Sequence, residues 1–403
     1  MPLLIKNGKV YQNGALANKN IFVKDGKITK ITSQELKADE VIDAKDKIVI
    51  PGLIDGHVHF REPGLTHKED FLTGSMAAAA GGITTVLDMP NTIPPTTDFQ
   101  RLEEKRKLAR KSIVNYGFHF GSTNNNIAEI EKANGIASVK VYLDYTTGDL
   151  KLDDYNALKK IFSSNKTITV HGENENILKA IELIKNSNNH IHFCHVSSKE
   201  ELHYAKGKKI KNSASVEVCP HHLFLTAKDL NELGNFGEMK PGLKTKDDQK
   251  ALWEGIHNGK VNTIATDHAP HTKEEKMQMN YPFGVPGCET MLPLLLNELN
   301  NKKNYKKITL KKIVELCCEN PAKIFKIKNK GFIKDGLDAD LAIIDLNMEK
   351  EVKNNELFTK CKWGPFDGWR LKGWPVATIV NGNIVFNNGK INIIAAKEVA
   401  YYE

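Results

Sequence analysis

No apolar stretch in this 403-residue chain approaches the roughly 20 residues that a membrane-crossing helix needs. The longest candidate, Met76 to Leu87, is rich in small residues and broken by Gly81 and Gly82. The start, Met1 to Lys9, lacks a long apolar core behind a basic end and reads as a strand, so no secretory signal is expected. Cysteine is sparse. Cys194, Cys219, Cys288, Cys317, Cys318 and Cys361 show no framework spacing, which argues against a disulfide-built secreted domain and for a reduced, cytoplasmic setting. Large blocks of one charge are missing too. The net charge of +8 is modest, and its Lys-rich stretches, Arg101 to Lys111 and Lys206 to Lys211, have little aromatic interleaving. They read as solvated helix faces rather than as a nucleic-acid surface. There is no internal repeat and no low-complexity linker. With 40% hydrophobic and 26% charged residues, disorder, collagen and coiled coil are excluded as the dominant state.

What is present falls into two textures. Near the N-terminus, Leu3 to Lys6, Gly8 to Tyr11, Ile21 to Lys24, Lys27 to Ile31 and Lys47 to Ile50 are strand-like, with Asn7-Gly8 and Asp25-Gly26 as hairpin turn signals. The last seventy or so residues repeat that texture in Leu341 to Asp345, Val376 to Val380 and Ile384 to Phe386, with turns at Asn381-Gly382 and Asn388-Gly389. Neither end has enough strands to bury a core comfortably, so together they predict one small β domain. The middle alternates short apolar runs with helix-length segments. The eight runs are Leu53 to Phe60, Thr84 to Met89, Ile113 to Phe120, Ser138 to Leu143, Thr167 to His171, Ile191 to Val196, Ala214 to Cys219 and Val261 to Asp267. This predicts an α/β chain: a (β/α)8 TIM-type barrel over residues 53–338, flanked by residues 1–52 and 339–403, the two parts of the small domain.

A barrel of this kind places its chemistry at the C-terminal ends of its strands. His57 and His59 close the first run, and their i, i+2 spacing puts both on one face. Two adjacent imidazoles can begin a divalent-metal site. Arg61 follows at the same parity and suits an anionic substrate. Asn91 ends the second run. In Ser138 to Leu143, Lys140 alternates with Val139, Val141 and Leu143 and is expected to point into the lumen. A bare buried ammonium there is disfavoured. Lys140 therefore either pairs with a carboxylate or reacts with carbon dioxide to give an anionic carbamate. His171 ends the fifth run, His195 the sixth, in phase with Ile191 and Phe193, and Asp267 the eighth. Four neutral imidazoles, a carbamate and a carboxylate suit a pair of Zn²⁺ ions.

Other polar residues are less specific. Cys194 neighbours His195 on a strand and is read as packing. Cys219, Glu217, His221 and His222 end the seventh run, where capping and substrate-facing roles are both open. His268 and His271 follow Asp267, and His271 is within reach of the site. Thr146, Thr147 and Gly148 form a polar loop, either a cover over the site or an ordinary connection. Gly284, Pro286 and Gly287 mark a turn whose glycines permit close backbone approach, which makes Gly287 a candidate substrate contact. Cys317 and Cys318, in the helical stretch Leu310 to Glu319, read as core.

These residues resemble a known family. Asp55-Gly56-His57-Val58-His59-Phe60-Arg61-Glu62-Pro63-Gly64 is similar to the metal-binding signature of the long-chain, type I dihydroorotases of the amidohydrolase superfamily. Met89-Pro90-Asn91-Thr92, Cys219 to Leu225, Thr266 to Thr272 and Pro286 to Pro293 resemble further signatures of the same family. The first motif is shared with allantoinases and hydantoinases; the Asp267 to His271 and Glu289 to Pro293 stretches favour dihydroorotase. The resemblance implies His57, His59, His171, His195 and Asp267 as metal ligands, and Lys140 as the carboxylated lysine. It implies Arg61, Asn91 and His271 as contacts to a substrate carboxylate, and Thr146 as a loop residue over the substrate. Many relatives have arginine where Lys240 stands. The implied reaction is reversible cyclisation of N-carbamoyl-L-aspartate to L-dihydroorotate in pyrimidine biosynthesis, by a metal-activated water with Asp267 as proton shuttle. A homodimer, and a complex with aspartate transcarbamoylase, are the implied assemblies. The alternatives are another cyclic amide hydrolase, or an inactive scaffold for aspartate transcarbamoylase.

Overall fold

The computed structural model describes residues 1–145, 150–185, 187–207, 214–301 and 305–402. The expected N-terminal strands form, but the strand expected at Ile21 begins already at Ala15, a strand at Glu40–Asp43 is added, and one expected turn fails. β1 (Leu3–Gln12) runs straight through Asn7-Gly8. That pair is a bulge, not a turn: Asn7 has a φ of 63°, and the register against β2 (Ala15–Lys24) shifts between Ile5 and Gly8. The chain reverses at Asn13-Gly14, both at positive φ, as a tight hairpin requires. β3 (Lys27–Thr32), β4 (Glu40–Asp43) and β5 (Ile48–Pro51) follow.

At the other end lie β14 (Leu341–Glu351), β15 (Arg370–Val380), β16 (Asn383–Asn387) and β17 (Lys390–Ile391). All nine strands join in one sheet, ordered β17-β16-β15-β14-β5-β1-β2-β3, with β4 paired to β1. The β5–β14 pairing joins the two ends of the chain. Their side chains share a core: Leu3, Ile5, Val10, Ile21 and Val23 pack with Leu341, Ile343, Val376 and Ile379. The final residues leave this sheet and return to the central body, where Glu398 bridges to Tyr116 and Tyr401 to Ile327.

The eight central runs become eight parallel strands: β6 (Leu53–Val58), β7 (Ile83–Asp88), β8 (Asn115–Gly121), β9 (Ser138–Tyr142), β10 (Ile168–His171), β11 (Ile191–Phe193), β12 (Ala214–Val218) and β13 (Thr263–Ile264). They pair in sequence order from β6 to β13. The ring closes where Val58 bridges to His268 and the His59 N–H donates to the His268 carbonyl at 2.8 Å. The architecture is a (β/α)8 barrel beside a separate mixed sheet.

Helices fill the connections, and some begin on a side chain that satisfies their free N–H groups. Asp70 caps Phe71–Ala80 through Leu72 and Thr73, and Thr245 caps Lys246–His257. Phe325 plugs the barrel floor, its ring 5.5 Å from that of His119 and 5.1 Å from that of His192. Any side chain at Gly56 would collide with it, an added Cβ lying 2.7 Å from the Phe325 ring. The Lys-rich helix Phe99–Ala109 departs from the solvated face expected of it. Lys105 is fully buried, pairing with Asp88 at 2.5 Å and donating to the Met89 carbonyl at 2.7 Å. Most of the second Lys-rich stretch, 208–211, lies outside the described residues. Cys317 and Cys318 are buried in the core, as expected. No helix among the described residues is long and apolar enough to cross a membrane.

Candidate metal centre

His57 lies one residue before the end of β6 and His59 just beyond it, with their rings 5.3 Å apart. Each is oriented through its Nδ1. His57 Nδ1 lies 2.8 Å from Glu217 Oε1, and His59 Nδ1 lies 2.7 Å from Asn91 Oδ1. Both partners are acceptors, so each Nδ1 carries the proton and each Nε2 is left with a lone pair. Asp267 Oδ1 stands 3.3 Å from His57 Nε2 and 3.1 Å from His59 Nε2. Three electron-rich atoms thus converge. Burial lowers the pKa of both imidazoles and raises that of Asp267, although His57 and Lys140 pull the Asp267 carboxyl back down. Burial also pushes the Glu217 carboxyl up, but His57 and His192 outweigh it and hold it well below the usual range.

Lys140 points into the lumen, as its alternation predicts, and is fully buried. Its Nζ donates to the Cys194 thiol at 3.0 Å and sits 5.2 Å from the centre of the Tyr142 ring. Among the described residues no carboxylate lies within ion-pair distance of it. The contact corrects the reading of Cys194, which faces inward. β11 ends at Phe193, and His195 has a φ of 35°, so strict alternation fails before the site is reached. His192, rather than Ile191 or Phe193, therefore faces the lumen, bonded to Ser215 and Glu217. His171 Nδ1 lies 2.8 Å from His195 Nε2. Their outer nitrogens, His171 Nε2 and His195 Nδ1, are buried without partners among the described residues.

Arg61 and Asp267 also adopt left-handed backbone, at φ 66° and 47°. Such positions cost on the order of 1–3 kcal/mol each for residues with a side chain, and they cluster where geometry serves chemistry. Arg61 reaches the rim through this turn, not by strand parity. It donates through Nε to the Pro270 carbonyl, and its Nη2 lies 3.0 Å from His271 Nε2. Lys68 donates to His271 Nδ1 at 3.1 Å, which leaves the Nε2 proton for the Phe283 carbonyl at 2.9 Å. Burial and the charges of Arg61 and Lys68 keep His271 neutral.

His57, His59, Arg61, Asn91, Lys140, His171, His195 and Asp267 line one pocket with Tyr142, Lys240 and Phe283. His271 stands behind it, against Arg61. Gly287 is set apart: its N–H donates to His268 Nδ1, and it lines a small neighbouring cleft. Thr146 lies outside the described residues. Sequence reasoning passed over Tyr142, although it shares the parity of Lys140, and Lys68, which carries no motif.

The amidohydrolase family pattern matches residues 48–385. The chain is 37% identical to the dihydroorotase of Methanosarcina acetivorans, with 96% of this chain and 92% of that protein covered. It is 38% identical to the dihydroorotase of Pyrococcus abyssi, with 96% of each covered. The chain belongs to the dihydroorotase group of the amidohydrolase family. Among solved structures, this member of the family is similar to the L-hydantoinase of Arthrobacter aurescens, with a TM-score of 0.93, 28% identity and 99% of each chain covered. It is also similar to a D-hydantoinase with a TM-score of 0.88 and 27% identity, covering 97% of this chain and 96% of that one.

The donor set of this amidohydrolase fits divalent metal. One donor atom each from His57, His195 and Asp267 lies within 4.8 Å of the others. Two imidazole lone pairs facing a carboxylate oxygen, and two further buried imidazole nitrogens without partners among the described residues, form a donor set whose chemistry suits a divalent cation.

Proposed function

We propose that this hydrolase interconverts N-carbamoyl-L-aspartate and L-dihydroorotate, a step of pyrimidine biosynthesis, using two Zn²⁺ per chain. His57, His59, His171, His195 and Asp267 would hold the ions, together with Lys140 carried as a carbamate. The supporting observation for the carbamate is a fully buried lysine with a thiol, an aromatic face and no paired carboxylate among the described residues. When bound, the ions supply Lewis acidity toward water and toward the ring amide carbonyl.

The protein's own groups do the rest. In the hydrolytic direction Asp267 accepts a proton from the attacking water and delivers it to the departing ring nitrogen. Its burial, which raises its proton affinity, suits both halves of that task. Arg61 and Asn91 orient the substrate through its carboxylate, with His271 braced behind Arg61 by Lys68 and Phe283. The family resemblance assigns Thr146 to substrate binding, the turn at Gly287 makes that residue a further candidate, and Gly284 lines the pocket beside Phe283.

The observation that carries this reading is the juxtaposition of Asp267, between His57 and His59, with a cationic rim of Arg61 and Lys240 in one pocket. A carboxylate-bearing ring matches that rim better than neutral hydantoin does. The likeness to hydantoinases makes hydantoin and allantoin the substrates to compare. Side-by-side assays should show turnover of dihydroorotate far above either; turnover of hydantoin or allantoin alone would replace the assignment. An inactive scaffold is disfavoured because all six ligand positions are filled. The proposal extends to a homodimer able to associate with aspartate transcarbamoylase, in the cytoplasm, where six unpaired cysteines are at home. It also divides the chain into a barrel, residues 53–338, and a small domain from residues 1–52 and 339–403, the last few of which pack back against the barrel.

A further inference from the structure

β12 runs directly into Cys219-Pro220-His221-His222, with Pro220 opening the short helix Pro220–Phe224. None of Cys219, His221 and His222 belongs to the six ligand candidates above. All three are buried, and one donor atom from each lies within 4.8 Å of the other two. The two imidazole rings meet edge to face, 4.3 Å apart. His222 Nε2 donates to the Pro241 carbonyl at 2.9 Å, so its Nδ1 holds a lone pair. That Nδ1 is buried without a partner among the described residues, and so is His221 Nε2. Cys219 is free of any disulfide.

A buried polar atom left unmet carries the full desolvation penalty of that group. Here two residues that carry such atoms, His221 and His222, cluster with the thiol of Cys219. A water would satisfy the nitrogens but would make little use of the sulfur. A borderline-soft cation uses all three, since thiolate and imidazole are the donors that Zn²⁺ takes and Mg²⁺ or Ca²⁺ avoid. The set holds no carboxylate, which again separates it from an oxygen-seeking ion.

We propose that Cys219, His221 and His222 form an additional site for a Zn²⁺-class ion, with three protein ligands and a fourth position open to water. Binding releases the Cys219 proton and leaves a thiolate–metal bond. Because His222 also holds the Pro241 carbonyl, the ion fixes the pocket wall that carries Lys240. The proposal rests on donor geometry alone and is independent of the substrate assignment.

The test uses the full chain, stripped by chelator and reloaded with Co²⁺. Wild type should show a thiolate-to-cobalt charge-transfer band in the near ultraviolet. Cys219→Ser, close in size to the native residue, should lose the band and one bound ion per chain by elemental analysis, with unchanged circular dichroism. His221→Gln should weaken cobalt binding at the same band by roughly ten-fold or more, by analogy with other losses of metal support, and it decides the matter if Cys219→Ser misfolds. Cys194→Ala controls for the other thiol near the pocket and should keep the band. No band in cobalt-saturated wild type, or a band that survives Cys219→Ser and vanishes in Cys194→Ala, overturns the site.

Discussion

His59 Nε2 and Asp267 Oδ1 stand 3.1 Å apart, and the other nitrogen of His59 is committed to Asn91. A neutral imidazole held this way presents a lone pair to a carboxylate, an opposition that only a cation or a proton relieves. Chelation should therefore abolish dihydroorotate turnover, and Zn²⁺ should restore it. Added Zn²⁺ at 100 times its dissociation constant should also raise unfolding stability by about 3 kcal/mol. A melting temperature indifferent to Zn²⁺ would count against the centre.

Asp267→Asn keeps an oxygen in place but cannot accept the proton. Turnover should fall by about 10²–10⁴ while much of the bound metal remains. Steady-state rates read beside metal content check this, and near-normal turnover would remove Asp267 from the proton path.

Lys140→Ala should lower metal occupancy and activity together. Short carboxylates such as acetate or propionate should restore part of both if the native group is a carbamate. Full metal content without the lysine would show that the ions do not depend on it.

Lys105→Met leaves Asp88 buried without its cation. The expected loss is about 3–5 kcal/mol, read from the midpoint of urea unfolding. Adding Asp88→Asn should recover part of it. The Asp88 carboxylate also accepts from the Phe60 N–H at 2.7 Å, between His59 and Arg61, so the single variant should lose metal affinity as well.

Glu289 predicts a pH dependence. Burial pushes its carboxyl up to about 7, against the hydrogen bonds it accepts from the Phe358 and Thr359 N–H groups. The folded state then holds a proton that the unfolded chain releases near the ordinary value of 4.5. Its stability contribution is complete below that value and is lost as pH rises to about 7. Relative to Glu289→Gln, wild type should weaken across that window, by on the order of 3 kcal/mol at most. Thermal melts of both proteins at stepped pH check the sign; a difference that stays flat would contradict it.

The fold was legible because barrel strands buried on both faces read as apolar runs, and all eight stand where those runs lie. Lys140 was legible because β9 keeps its alternation up to the site. Cys194 and His192 were misread because that rule was extended past Phe193, to a residue whose left-handed backbone reverses the facing. Arg61 was placed correctly for a reason parity does not supply. Lys105 was hidden because a lysine in a basic helix carries no local sign that a buried carboxylate from another strand awaits it. Glu217 could be noted at a strand end, but its hold on both His57 and His192 is a fact of assembly.

The joint between β6 and β13 has a consequence for how the molecule is made. β13 is two residues long, and the residues after it meet β6 through the Val58–His268 bridge, the His59 amide contact and the two bonds that Thr266 donates to the Asp55 carboxylate. His57 and His59 stand on one lip of that joint and Asp267 on the other. Whatever is gripped between them also clasps the first and last staves of the cask, so an ion held there favours the closed vessel over the open one.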